Sequence, residues 1–257
     1  MKFLVVLILI VVAYVKGEIN WCEMEERYCS GREHIACHPN SFPMAGDNVR
    51  NIQVVEVTDE LIRAGVDRHN YHRSNVASGS VEGIPSAIAM QKMAWHLDLA
   101  FVAGEHVRNA YFQHDECRYF TEFPHSGQNL AKYYSYTPYT NLTQVFETLI
   151  DLWYDEMTIV RDEKPSCIDS FTIENPNCRG TGHFTVMVND INGFLGCGFA
   201  TFEEYMSDYD YWWYTFMVTC NYQGNNIIDH PIYATGTPCS GCAAVGRQCD
   251  SETSLCV

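Results

Sequence analysis

Positive charge is scarce in this sequence. Sixteen Lys and Arg residues face 32 Asp and Glu residues, for a formal charge of −16 over 257 residues. No net positive field exists to displace counterions from phosphates, which argues against a nucleic-acid partner and against adhesion to anionic membranes. Charge of either sign is also limited, at 19% of residues against 47% hydrophobic, and that balance excludes wholesale disorder. Beyond the first dozen residues no apolar run is long enough to span a bilayer. The patterns H-E-x-x-H, G-x-S-x-G and G-x-x-x-x-G-K-[ST] are absent, which removes the common routes to protease, esterase and nucleotide enzyme. Internal repeats and low-complexity segments are missing too.

What is present begins with an address. Met1-Lys2 followed by the apolar run Phe3 to Val12 and the small residues around Val15-Lys16-Gly17 reads as a secretory signal peptide over residues 1–17, cleaved after Gly17. Loss of its two lysines takes the mature chain to −18. All twelve cysteines follow that point: Cys22, Cys29, Cys37, Cys117, Cys167, Cys178, Cys197, Cys220, Cys239, Cys242, Cys249 and Cys256. In an oxidising compartment an even set reads as up to six disulfides, leaving no free thiol for catalysis. The spacing of Cys239 and Cys242 also suits a metal or redox pair, but secretion and the lack of a surrounding βαβ pattern weigh against both.

The cysteines and the periodic stretches divide the mature chain in three. Residues 18–57 form a disulfide-stapled arm, residues 58–222 the main domain, and residues 223–257 a cysteine-rich tail too short to build a core of its own. Within the main domain, Thr58 and the acids after it open a helix carrying Ile62, Val66, His69, Arg73 and Val76 on one face, with Gly79 as its stop. A second helix is expected over Trp95 to Phe112, with Leu97, Ala100, Phe101, Gly104, Val107 and Tyr111 as its stripe. A third is expected from Leu142 to Met157. Asn141-Leu142-Thr143 is an N-glycosylation sequon at that helix's start. Strands are expected at Phe184–Val188, Phe194–Phe202 and Tyr211–Tyr222, where β-branched and aromatic residues concentrate. Helices first and strands later imply a layered α+β fold.

Polar clusters sit at the edges of these elements. In order they are His69-Asn70-x-x-Arg73, His114-Asp115-Glu116-Cys117, Ser126-Gly127-Gln128-Asn129-Leu130, Trp153-Tyr154-Asp155-Glu156 and Gly182-His183-Phe184-Thr185, then a G-C-G around Cys197 and Cys220-Asn221-Tyr222. That ordered string resembles the CAP superfamily of cysteine-rich secretory, antigen-five and pathogenesis-related proteins. Cys22, Cys29 and His34-Ile35-Ala36-Cys37 resemble the N-terminal arm of its insect antigen-five branch, and the likeness spans about residues 20–235.

The resemblance implies a three-layer α-β-α sandwich and a central cleft formed by His114, His183, Glu156 and the residue at position 128. Gln128 replaces the glutamate usual in the wider family, as in the insect allergen branch. Two neutral imidazoles beside a carboxylate suit zinc or copper, whereas an amide is a poor ligand and no general base, so hydrolysis is disfavoured. Disulfides Cys22–Cys37, Cys29–Cys117 and Cys197–Cys220 are implied, and a wasp-type bridge near Ala45 and Ala110 is missing both partners. Cys167 and Cys178 are extra and close a local loop. The four tail cysteines leave three pairings open. The tail is too short for the ion-channel regulatory domain of larger relatives.

Three functions follow. Family members bind sterols, fatty acids or eicosanoid-like lipids, and antigen-five relatives occur in venom and in the saliva of blood-feeding insects, where they act as allergens. A small hydrophobic ligand is therefore the leading expectation, with Phe146, Leu149, Trp153, Tyr133, Tyr134 and Tyr136 as channel walls. A metal-dependent redox or hydrolytic enzyme at His114 and His183 is the second. A protein that blocks a host receptor is the third; no R-G-D loop is present, since Gly246-Arg247-Gln248-Cys249-Asp250 only echoes the letters, and the acidic stretch Glu203 to Asp210 is the remaining surface candidate. His69, Asn70 and Arg73 are expected to tie the first helix to its neighbours, and His72 and His125 to be solvated.

Overall fold

A computed structural model describes residues 19–40, 43–174 and 177–257. The signal peptide expected at residues 1–17 lies outside them. A short helix, α1 (Trp21–Tyr28), precedes the edge strand β1 (Val49–Val54) and the long helix α2 (Asp59–Ala77). Next come β2 (Ala94–Trp95), α3 (Leu97–Val107), β3 (Gly127–Ser135), α4 (Leu142–Asp155), α5 (Met157–Glu163) and α6 (Gly182–Val188). The long hairpin β4 (Phe194–Met206) and β5 (Tyr211–Tyr222) completes the main sheet, and β6 (Cys249–Asp250) with β7 (Leu255–Cys256) forms a small tail ribbon. The sheet runs β1-β4-β5-β3, antiparallel throughout, with β2 added in parallel to the start of β4.

The alternation of side chains along β4 explains the layers. Leu195, Cys197 and Phe199 point into the main core with α2, α4 and α6, where Phe146 meets Phe199 edge-on at 4.8 Å. On the opposite face Ala200 and Phe202 pack against Val107 of α3. Gly196 and Gly198 lie on that same face because α3 crosses there at backbone contact. A Cβ would sit 2.2 Å from the Ala100 amide nitrogen at Gly196 and 2.4 Å from the Ala103 carbonyl carbon at Gly198. The G-C-G motif is thus a sheet position that buries a disulfide on one side and admits a helix backbone on the other.

Three elements differ from expectation. Phe184–Val188 belongs to the helix α6. Phe184, Val186, Met187 and Val188 are buried at 0–2% exposure, so the apolar run is a helix surrounded by core, which periodicity cannot tell from a buried strand. The second helix is shorter than its stripe suggested and turned about its axis. Leu97 is 76% exposed, while Leu99, Val102, Ala103 and His106 are buried, and Phe101 serves the arm by stacking on Trp21. Residues 49–54, expected in the arm, are the sheet's edge strand.

All twelve cysteines are paired. The structure joins Cys22–Cys37, Cys29–Cys117, Cys167–Cys178 and Cys197–Cys220, and pairs the tail as Cys239–Cys249 and Cys242–Cys256. Ala45 and Ala110 meet in one apolar cluster without a bridge. The tail does not stand apart: Ile232, Tyr233 and Leu255 enter the main core, and Cys256 exchanges backbone hydrogen bonds with Met90 and Lys92. No helix among the described residues is long and apolar enough to cross a membrane.

Candidate functional site

The central cleft is assembled from four elements, and α2 braces two of them, α4 and α6. Arg73, fully buried, donates five hydrogen bonds to the carbonyls of Gln91, Met187, Asn189 and Asn192. Burial pushes its guanidinium down to about 9, against the opposing pull of the Asp190 carboxylate. Asn70 pairs both backbone groups of Met93 at 2.8–2.9 Å. Together they fasten α2 to the 87–93 segment and to the end of α6. His72, expected to be solvated, is instead 5% exposed; it bonds Asp151 at 2.7 Å and stacks on Tyr154 at 3.9 Å, because α2 packs on α4 along that edge. His125 is exposed.

His114 lies in the connection after α3, three residues before the disulfide that joins Cys117 to the arm. Gln128 is the second residue of β3, opposite Asn221 of β5. Glu156 ends α4 and begins α5, and His183 is in the first turn of α6. These four residues line one cleft of about 500 Å³, with Phe171, Ile173, Val186 and Ile228 as its apolar part.

Hydrogen bonds set the chemistry. His114 Nδ1 is 2.8 Å from Gln128 Oε1, and His183 Nδ1 is 2.7 Å from Glu156 Oε1. Each oxygen can only accept, so each Nδ1 donates, and a ring that carries a single proton keeps its lone pair on Nε2. Burial above all holds the His114 imidazole below the usual histidine range, which keeps it neutral. Glu156 Oε2 accepts the backbone N–H groups of His183 and Phe184 at 2.8 and 3.1 Å, capping α6. Glu156, expected as a metal ligand, is thereby committed to orienting His183. Gln128 does the same for His114. Such partners behind a coordinating imidazole fix its tautomer and raise its basicity.

The expected channel walls are distributed differently. Phe146, Leu149 and Trp153 are 0–3% exposed in the main core, so they wall no open channel. Trp153 donates to the Leu130 carbonyl and stacks behind His183 at 6.2 Å. Tyr133, Tyr134 and Tyr136 are 38–64% exposed at the far end of β3, away from the cleft lining. Asn141 is exposed and caps α4 through its side-chain oxygen, which accepts the Gln144 N–H at 3.0 Å. Among the described residues one trio of ligand atoms is close enough for a single ion: Cys22, Cys37 and His38. The two cysteines form a disulfide, so neither offers a thiolate.

Sequence reasoning missed Arg118 and passed over Asn221. Arg118 donates to Gln128 Oε1 at 3.2 Å, and Gln128 Nε2 donates to Asn221 Oδ1 at 3.1 Å. The readable signal was an acid and a base three apart, Asp115 and Arg118, immediately after a site histidine.

Comparison with known proteins agrees with this architecture. The model of the CAP cysteine-rich secretory protein family matches residues 66–222. Venom allergen-1 of Aedes aegypti is 30% identical over 244 residues, covering 94% of this chain and 88% of the relative. Venom allergen 5.01 of Dolichovespula maculata is 30% identical over 237 residues, covering 89% and 95%. Among solved structures, the crystal structure of NaASP2 with Zn2+ superposes with a TM-score of 0.60 at 22% identity, over 83% of this chain and all of that one, a likeness of fold. With its sandwich, its six disulfides and these relatives, the chain belongs to the CAP family of cysteine-rich secretory proteins, as an antigen-five-like venom allergen homologue.

Proposed function

We propose that this protein is secreted and acts by binding: its cleft takes a divalent cation, zinc or copper, on Nε2 of His114 and of His183, together with a small hydrophobic ligand. One observation carries the reading. Both Nδ1 atoms bond to side-chain oxygens, so each imidazole has the same nitrogen, Nε2, to offer in one cleft. Imidazole suits zinc and copper, and two protein ligands leave further positions to water or to a ligand oxygen. A bound cation supplies Lewis acidity toward such an oxygen.

The surrounding side chains favour retention over turnover. Glu156 has three hydrogen bonds to make where it stands, and the Gln128 amide has no basicity, so no free general base adjoins the imidazoles. Phe171, Ile173, Val186 and Ile228 offer apolar surface to the body of a ligand. The exposed Asn141 keeps its Nδ2 available for a glycan while its oxygen caps the helix.

Native mass spectrometry of the secreted protein with sterols, fatty acids and eicosanoids, with and without zinc, copper and chelator, tests this. The expected spectrum carries one metal and one lipid per chain. Absence of both adducts overturns the reading.

A protein-binding role has one observation in its favour. Tyr136, Tyr209 and Tyr211 surround Trp213 at the β4–β5 tip and are 64%, 66% and 41% exposed, an aromatic surface of the kind that anchors interfaces. A Tyr136→Ser, Tyr209→Ser variant that keeps cleft binding but no longer adheres to cell surfaces favours that role.

A further inference from the structure

We infer that Arg118, with Asn221, is a positioning residue for the cleft. The pair grips the Gln128 amide from both ends and so decides which nitrogen His114 presents. This inference rests on the metal-binding reading for its purpose, but not for its geometry.

The argument follows from what each group can do. Arginine has donors only. Arg118 Nη2 lies 3.2 Å from one end of the Gln128 amide, so that end is the oxygen. The other end lies 3.1 Å from Asn221 Oδ1, so it is the NH2 group. Asn221 is itself oriented, because its Nδ2 donates to the Leu99 carbonyl at 3.3 Å. A flipped Gln128 would set an amide NH2 against a guanidinium and oxygen against oxygen. With the oxygen fixed 2.8 Å from His114 Nδ1, that nitrogen must carry the ring's proton, and Nε2 is left as the donor atom for a cation.

Arg118 is as firmly held as the amide it holds. Its Nε pairs with Asp115 Oδ1 and its Nη2 donates to the Asp115 carbonyl at 2.8 Å. The Asp115 side chain is 1% exposed, so its carboxylate depends on that guanidinium. Asp115 follows His114 directly in the chain. The result is a closed ring, from His114 through Asp115, Arg118 and Gln128 back to His114, and Cys117 bolts it to the arm. A glutamate at position 128 would present an acceptor oxygen in either orientation. A glutamine has one correct orientation, and Arg118 selects it.

Long-range 1H–15N correlation of the histidine rings in the metal-free protein, paired with zinc titration calorimetry, tests the inference. His114 in the parent is expected as the Nδ1–H tautomer; a dominant Nε2–H form overturns the inference without any variant. Arg118→Lys keeps a cation beside Asp115 but loses the fork that reaches Gln128. It is expected to show a mixed tautomer and about tenfold weaker zinc binding, the low end for partners behind a metal ligand. An unchanged tautomer with zinc affinity within about twofold overturns the inference. Adding Gln128→Glu to Arg118→Lys is expected to restore the Nδ1–H form; failure to restore it means Arg118 merely stabilises the loop, and the inference falls. If the parent takes up no zinc yet Arg118→Lys shifts the tautomer, the positioning role stands and the metal-binding reading fails.

Discussion

His69 and His106 belong to the same domain as His114 and His183, yet they spend their nitrogens differently. His69 Nδ1 donates to the Gly65 carbonyl at 2.7 Å, and its Nε2 accepts from the Tyr222 hydroxyl at 2.8 Å. His106 Nε2 donates to the Gln113 carbonyl and its Nδ1 accepts from Thr219 Oγ1, both at 2.8 Å. Both rings are fully buried. Burial pushes His69 down to about 3 and lowers His106 as well. These two are struts, neutral and fully satisfied. In the cleft pair each Nδ1 is bonded to a side-chain oxygen, and on the proposed reading Nε2 takes the ligand. The difference lies in the second nitrogen, since burial, the largest cause, lowers His114 as well.

The largest effect that would sharpen this contrast is on stability. His69→Ala strands the Gly65 carbonyl and the Tyr222 hydroxyl and opens a cavity, for an expected loss of about 3 kcal/mol in urea denaturation while one zinc still binds. The strut also has a pH signature. Below the unfolded value of 6.5 the unfolded chain takes up a proton that native His69 refuses down to about 3, so stability falls as pH drops through that window. Each such proton contributes about 1.4 kcal/mol per pH unit, and His69→Gln is expected to flatten the slope between pH 6 and 4 by about one proton. A variant with an unchanged slope would break the comparison.

For the cleft pair the order reverses. His114→Ala is expected to weaken zinc binding about 100-fold, roughly 2.7 kcal/mol, as read by calorimetry. Its cost in stability is expected to stay within about 1 kcal/mol, since one hydrogen bond is lost beside an open cleft. A stability loss matching that of His69→Ala would make His114 a strut as well. The smallest effect belongs to His125, whose ring is exposed; His125→Ala is expected to change stability by less than about 0.5 kcal/mol and zinc affinity not at all.

Legibility in the sequence followed the same physical lines. Thr58 caps α2 through its hydroxyl, Gly79 lies just beyond that helix at φ +75°, and Asn141 caps α4, all local chemistry that a string of letters carries. The ordered motifs located the four cleft residues before any geometry was known. What they could not convey was which oxygen meets which nitrogen: that Glu156 bonds His183 Nδ1 and that Gln128 bonds His114 Nδ1. Phe146, Leu149 and Trp153 read as channel walls for a related reason. An amphipathic stripe shows which face of a helix avoids water, but it says nothing of whether core or cavity lies opposite. Leu97 and Phe101 misled because both face outward, 76% and 48% exposed, and Phe101 finds its partner in Trp21 of the arm, far away in the chain.

The sequence by itself determined the family, the layered α+β architecture and the membership of the cleft, because these rest on residue types in order and on short-range periodicity. The tertiary structure alone decided that α6 is a helix, how the tail cysteines pair, and which nitrogen each histidine keeps. Those are settled by partners tens of residues apart: a carbonyl only accepts, a guanidinium only donates, and an amide or imidazole held between them has one orientation left.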